Sequence, residues 1–137
     1  MIDLAVTSMA HELLSRGEPL KFTARGQSMW PYLLDGDVVE IVPRKAPVSI
    51  GDIVFVPNVE FGQVHRVIDV DHSGRVLVRG DALYEPDGWF DLEQISGVLG
   101  SVLRRGRSVR VRRSRYAVQV ATILGAARRL VHRIRHR

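Results

Sequence analysis

The sequence predicts a mainly β domain, a coiled β-barrel or sandwich, with a short helix before it and a basic helix after it. Three observations predict this. Between Pro19 and Val111, short runs rich in Val and Ile recur at close intervals, punctuated by Gly, Pro and Asp. On either side of that stretch the apolar spacing becomes helical. The length of 137 residues admits one domain with at most an appendage.

The elements follow in order. Leu4, Val6, Met9, Ala10, Leu13 and Leu14 fall mostly on one helical face, so Leu4 to Ser15 reads as a helix that Gly17 ends. After Pro19 the period changes, and Leu20 to Ala24 reads as a short strand. Gly26 to Gly36 is rich in turn formers. Asp37 to Pro43 carries Val38, Val39, Ile41 and Val42 and reads as a buried strand, and Gly51-Asp52 introduces another from Ile53 to Val56. Gln63 to Val70 and Arg75 to Arg79 form a hairpin around His72-Ser73-Gly74. Gly97 to Leu103 and Ser108 to Val111 read as two further strands around Arg104 to Arg107. From Tyr116 the period is helical again, with an apolar seam of Val120, Ile123, Leu124, Ala127, Val131 and Ile134 beside Arg128, Arg129, Arg133 and Arg135. The chain thus divides into a helical segment (1–19), a β domain (20–112) and a basic amphipathic helix (113–137).

Composition excludes several functions. There is no cysteine, so disulfides, iron–sulfur clusters, cysteine-bound zinc and thiol nucleophiles are out. The net charge of +5 hides a split: residues 1–103 sum to −7, and residues 104–137, with 12 arginines and no acid, sum to +12. The basicity belongs to the tail, which does not imply a uniform nucleic-acid surface. No run of roughly 18 apolar residues offers a membrane span. The Met1-Ile2-Asp3 start lacks the basic and long apolar regions of a signal peptide. The expected location is therefore the cytoplasm, with peripheral membrane contact as the second reading. No cofactor is called for. His132 and His136 have i, i+4 spacing but no intervening acid, and read as tail residues, not metal ligands.

The chemistry lies in four blocks: Gly26-Gln27-Ser28-Met29-Trp30-Pro31 with Leu33 to Val39, Gly51-Asp52-Ile53-Val54-Phe55, Val64-His65-Arg66-Val67-Ile68, and Gly80-Asp81-Ala82 followed by Asp87. Their order and spacing, from about Phe22 to Val98, resemble the superfamily of type I signal peptidases and LexA-type self-cleaving repressors. The resemblance implies a coiled β fold and a serine nucleophile, Ser28, in a Ser-Met-x-Pro turn. Met29 and Pro31 suit a tight anchored turn, and Pro31 fixes its own φ. Gly26 leaves room for a substrate backbone to approach, and the Ser28 N–H is the natural oxyanion donor. Many signal peptidases carry a hydroxyl two residues before the nucleophile; Gly26 stands there instead, as in the repressor branch.

A serine needs a base at neutral pH. Bacterial signal peptidases and the repressors use lysine, but Lys21 and Lys45 lie outside any base block. His65 stands at the matching position, which resembles the endoplasmic-reticulum and archaeal signal peptidases. An imidazole, with an ordinary pKa of about 6.5, accepts a proton without deep burial. Its carboxylate partner is Asp87 by resemblance to the histidine type, with Asp81 in reserve. Asp87 in Pro86-Asp87-Gly88 is equally a turn residue. Pro31, Asp37, Gly80 and Asp81 read as structural support, and Asp37 and Asp52 as turn and capping residues at strand starts. Trp30, Trp89 and Phe90 read first as packing residues.

The expected function is that of a serine endopeptidase resembling signal peptidase, cleaving a leader or precursor peptide bound as an added strand with small side chains in shallow pockets. A non-catalytic peptide-binding module on the same scaffold comes second, and a self-cleaving regulator third. For the basic tail, a helix docked by its apolar seam ranks first, an anionic membrane surface second, and nucleic acid third, since no helix-turn-helix precedes the core.

Overall fold

The computed structural model describes the backbone of residues 2–57 and 61–136, and the side chains of residues 9–56 and 62–136. In order, the elements are β1 (Ile2–Asp3), α1 (Leu4–Ser15), β2 (Leu20–Thr23), β3 (Val38–Pro43), β4 (Ile53–Pro57), β5 (Phe61–Val70), β6 (Val76–Arg79), β7 (Gly88–Phe90), a 3-10 turn (Leu92–Gln94), β8 (Gly97–Arg104), β9 (Arg107–Val109) and α2 (Arg115–Arg135). All strand pairs are antiparallel, in the order β2-β3-β8-β4-β5-β6-β7, with β1 on β5 and β9 on β8.

The chain is mainly β with a helix at each end, as expected, but the sheet is one open path. No ladder joins β2 to β7 among the described residues, so neither a closed barrel nor two separate sheets forms. Instead the sheet bends. In β4, Ile53 and Phe55 enter one apolar cluster with Ile41, Leu99, Met29 and Leu14, while Val54 and Val56 enter another with Val67, Val76, Val78 and Ile95. Successive side chains on a strand point to opposite faces, so β4 is covered on both. The pairing register shifts at Val39/Ile41 in β3 and at Val67/Asp69 in β5, the kind of irregularity that bends a strand.

Two short strands and the 3-10 turn were not expected. β7 pairs with β6 over only three residues, from Gly88 to Phe90, too few to carry an alternating pattern. Phe90 packs against the second cluster, whereas Trp89 stays exposed. β1 is only two residues long.

Asp37 and Asp52 act as turn residues. Asp37 Oδ2 accepts from Leu34 N (2.8 Å), and Asp52 Oδ2 from Ser49 N (2.8 Å). Asp37, almost fully buried, also takes two hydrogen bonds from Arg104 at 2.9 Å, and Arg104 reaches Tyr32 O at 3.1 Å. The end of β8 is thereby tied to the turn that leads into β3. Burial alone raises the Asp37 carboxyl; the bonds from Arg104 and Leu34 outweigh it and hold the group below its ordinary 3.8.

The C-terminal helix docks on a face other than the anticipated seam. Its buried residues are Ala117, Ala121 and Gly125, whereas Ile123, Leu124, Val131 and Ile134 are exposed. Small residues at every fourth position let the helix backbone close on the chain beneath, and a Cβ on Gly125 would lie 3.1 Å from Asp81 O. Ser114 caps the helix by accepting from Ala117 N at 3.2 Å.

Because the folded Asp37 has a depressed pKa, its contribution is complete above 3.8 and fades as pH falls through the lower folded value. Asp37→Asn is therefore expected to cost about 2 kcal/mol at neutral pH, with the gap from wild type narrowing below pH ~4. Urea denaturation of both proteins at neutral and acid pH checks this.

Candidate active site

The turn after β2 presents Ser28. Gly26 adopts φ +86°, a left-handed backbone that favours glycine, and its N–H donates to Asp35 Oδ1 at 2.8 Å. A Cβ there would meet nothing within 4 Å, so the backbone angle explains this glycine, and crowding does not. Met29 is buried in the first apolar cluster, and its carbonyl accepts from Tyr32 N and Leu33 N, both at 3.0 Å. The Trp30–Pro31 bond within this turn is cis. Among the described residues, no acceptor takes the N–H of Ser28 or of Met29.

His65 sits in the middle of β5, opposite Val54, and is buried. Its ring joins two side chains. Nδ1 lies 2.5 Å from Asp87 Oδ2, and Nε2 lies 3.0 Å from Ser28 Oγ. A carboxylate only accepts, so the proton belongs on Nδ1, and the bare Nε2 accepts from the Ser28 hydroxyl. Asp87 stands just before β7 and is held by its own N–H, which donates to Val78 O at 2.7 Å. The β6–β7 connection therefore delivers the carboxylate.

Asp81, the reserve partner, is engaged elsewhere. It takes two hydrogen bonds from Arg66, from Nε at 2.7 Å and from Nη2 at 2.8 Å, in a pair almost completely shielded from solvent. Burial pushes its carboxyl up, against the pull of Arg66. Asp81 N also points at Met29 Sδ at 3.4 Å. Next to it, Ala82 N donates to Ser28 O at 2.9 Å, so this loop clamps the Ser28 backbone. Gly80 fits here because it lacks a side chain. A Cβ would stand 2.7 Å from Ser28 O and 3.1 Å from His65 Nε2.

A cavity of about 300 Å³ opens beside the Ser28–His65 contact, walled by Phe22, Ala24, Met29, Leu33, Val64 and Leu83. Pro31 and Asp37 lie in the segment between β2 and β3, whose residues Ala24 to Met29, Leu33 and Leu34 form part of this wall. No cluster of His, Asp and Glu among the described residues offers a metal site. The His132 and His136 rings sit 4.3 Å apart.

The sequence reading did not single out Arg66. It is fully buried, and its Nη1 also donates to Gly51 O and Arg112 O, both at 2.8 Å, with the guanidinium 4.9 Å over the Tyr32 ring. The signal was present: a charged residue inside Val64-His65-Arg66-Val67-Ile68 demands a buried partner. No helix among the described residues is long and apolar enough to cross a membrane. No protein-family model and no curated protein matches the chain.

The two aspartates are expected to separate on mutation. Asp81→Asn strands a buried guanidinium and should cost about 3–5 kcal/mol of stability, whereas Asp87→Asn should cost only about 1 kcal/mol. Equilibrium denaturation orders the two; the reverse order would contradict their environments.

Proposed function

We propose that this chain is a serine endopeptidase of the signal peptidase/LexA-like kind, acting through Ser28, His65 and Asp87. The observation that carries the reading is the unbroken line of hydrogen bonds from Ser28 Oγ through the His65 ring to Asp87, set at the mouth of an apolar cavity. An imidazole with its far nitrogen held by a carboxylate is the standard means of raising the nucleophilicity of an alcohol.

In this mechanism Ser28 Oγ attacks a peptide carbonyl carbon while His65 Nε2 takes the hydroxyl proton. Asp87 holds the ring in place and stabilises the imidazolium. The carbonyl oxygen becomes an oxyanion facing the Ser28 N–H, with the Met29 N–H as a second donor. Collapse breaks the C–N bond, and His65 gives its proton to the departing amine. Water then attacks the acyl-serine, with His65 again as base, and releases the acid and the free hydroxyl.

The apolar cavity beside the serine would receive a substrate side chain. At about 300 Å³ it is roomier than the shallow pocket for small side chains that the resemblance implies. Medium-sized aliphatic side chains are the better fit. The peptide would lie extended along the exposed backbone at the rim.

A fluorogenic peptide library with aliphatic residues at the varied position tests the reading. Ser28→Ala and His65→Gln are expected to lower kcat/KM at least about 1,000-fold, and Asp87→Asn about 100-fold or more. Equal turnover by wild type and the Ser28 and His65 variants would overturn it. Retention of peptide by a wild type that never cleaves would instead assign the fold to a binding module.

A further inference from the structure

Beyond the aliphatic pocket, a second concavity meets Ser28 from the side of α2. Its volume is about 420 Å³, and it runs past Gln27 and Leu83 between Arg128, Arg129, His132 and Arg133. It differs from the first cavity in the basic side chains along it: three arginines and a histidine line it, with no carboxylate among the lining residues, whereas the first cavity has Arg25 and His65. Among the described residues, none of the arginines of α2 forms an ion pair with an acid.

Two of these arginines, Arg128 and Arg129, are held by the fold. Arg66 holds the carbonyl of Arg112 at the entry to α2. Gly51 packs against Ser114 so closely that a Cβ would lie 2.3 Å from its carbonyl carbon. Further along, Arg129 Nη1 donates to Ala82 O at 2.9 Å, and Arg128 donates to Gln27 Oε1, one residue before the serine. Their guanidinium groups also sit over aromatic rings, Arg128 4.8 Å above Trp30 and Arg129 5.7 Å from Tyr84. Arg133 has no partner among the described residues and keeps all its donors for a ligand. Held so close to the serine, uncompensated positive charge attracts carboxylates that arrive with the substrate.

We infer that α2 supplies a substrate subsite for acidic side chains, so that the preferred peptide has an aliphatic residue on one side of the scissile bond and Asp or Glu residues on the other. This deepens the peptidase reading and rests on it. The basic helix becomes part of the recognition surface, with an acidic peptide as its occupant.

The test uses peptides that share one aliphatic anchor and carry three Glu, three Gln or three Lys residues either before or after it. Cleavage by the wild type and binding to Ser28→Ala, read by fluorescence anisotropy, are both followed at about 0.05 and about 0.3 M salt. In one of the two orientations the Glu peptide is expected to beat the Gln peptide by about tenfold. The Lys peptide should fall below both, and the advantage should shrink at the higher salt. Arg133→Gln should reduce the Glu-to-Gln ratio severalfold, and Arg128→Gln/Arg133→Gln should bring it close to one. Wild-type cleavage without Glu preference in either orientation overturns the inference and leaves the peptidase standing. Glu preference in binding without cleavage keeps the subsite and removes the peptidase. Absence of Glu preference, together with arginine-dependent sedimentation on phosphatidylserine-containing vesicles, overturns the inference in favour of a membrane-facing helix.

Discussion

The buried ion pair between Arg66 and Asp81 is the constraint on which the site depends. Moving two charges out of water is expensive, and such a pair adds little net stability unless further hydrogen bonds satisfy the donors that the partner leaves over. Here the guanidinium makes four hydrogen bonds, two to Asp81 and one each to the carbonyls of Gly51 and Arg112, and lies over Tyr32. One side chain from β5 thus joins the serine turn, the loop before β4, the loop after β6 and the entry to α2. The return is positional. With Asp81 fixed, Ala82 clamps the Ser28 carbonyl, and Gly80 slips between Ser28 and His65 where any side chain would force them apart.

The position of Ser28 is consequently set from several directions at once. Gly26 and the buried Met29 shape its turn, β5 brings His65 up to it, and the β6–β7 connection brings Asp87 behind the ring. Neighbouring residues on one strand, His65 and Arg66, divide the labour: one reaches the Ser28 hydroxyl and the other holds the loop that steadies it. The two concavities on either side of the serine come from different parts of the fold, the apolar one from β2, β5 and the serine turn, the cationic one from α2.

Much of this was legible in the sequence, and the rest was not for identifiable reasons. Ser28, His65 and Asp87 stood out because residues of the right chemistry occur in four blocks in a familiar order, and the coordinates bring these three side chains within hydrogen-bonding reach of one another. Only the resemblance ranks Asp87 above Asp81 as the partner of His65, because spacing alone does not say which carboxylate meets an imidazole and which a guanidinium. Sheet closure was not legible either, since it depends on which edges meet and not on the period of any strand. The face of α2 was misjudged because hydropathy rewards large apolar residues. The helix is seated instead by Ala117, Ala121 and Gly125, whose small size lets two backbones approach, and the large residues remain outside.

The central claim is that the Ser28 hydroxyl is activated by His65. Intact-mass spectrometry after exposure to a fluorophosphonate tests it most directly, because the reagent needs no knowledge of the substrate. A single adduct located on Ser28, forming at least about 1,000 times more slowly in His65→Gln, is the predicted result. Failure of Ser28 to label, or labelling at the same rate without the imidazole, would contradict the account.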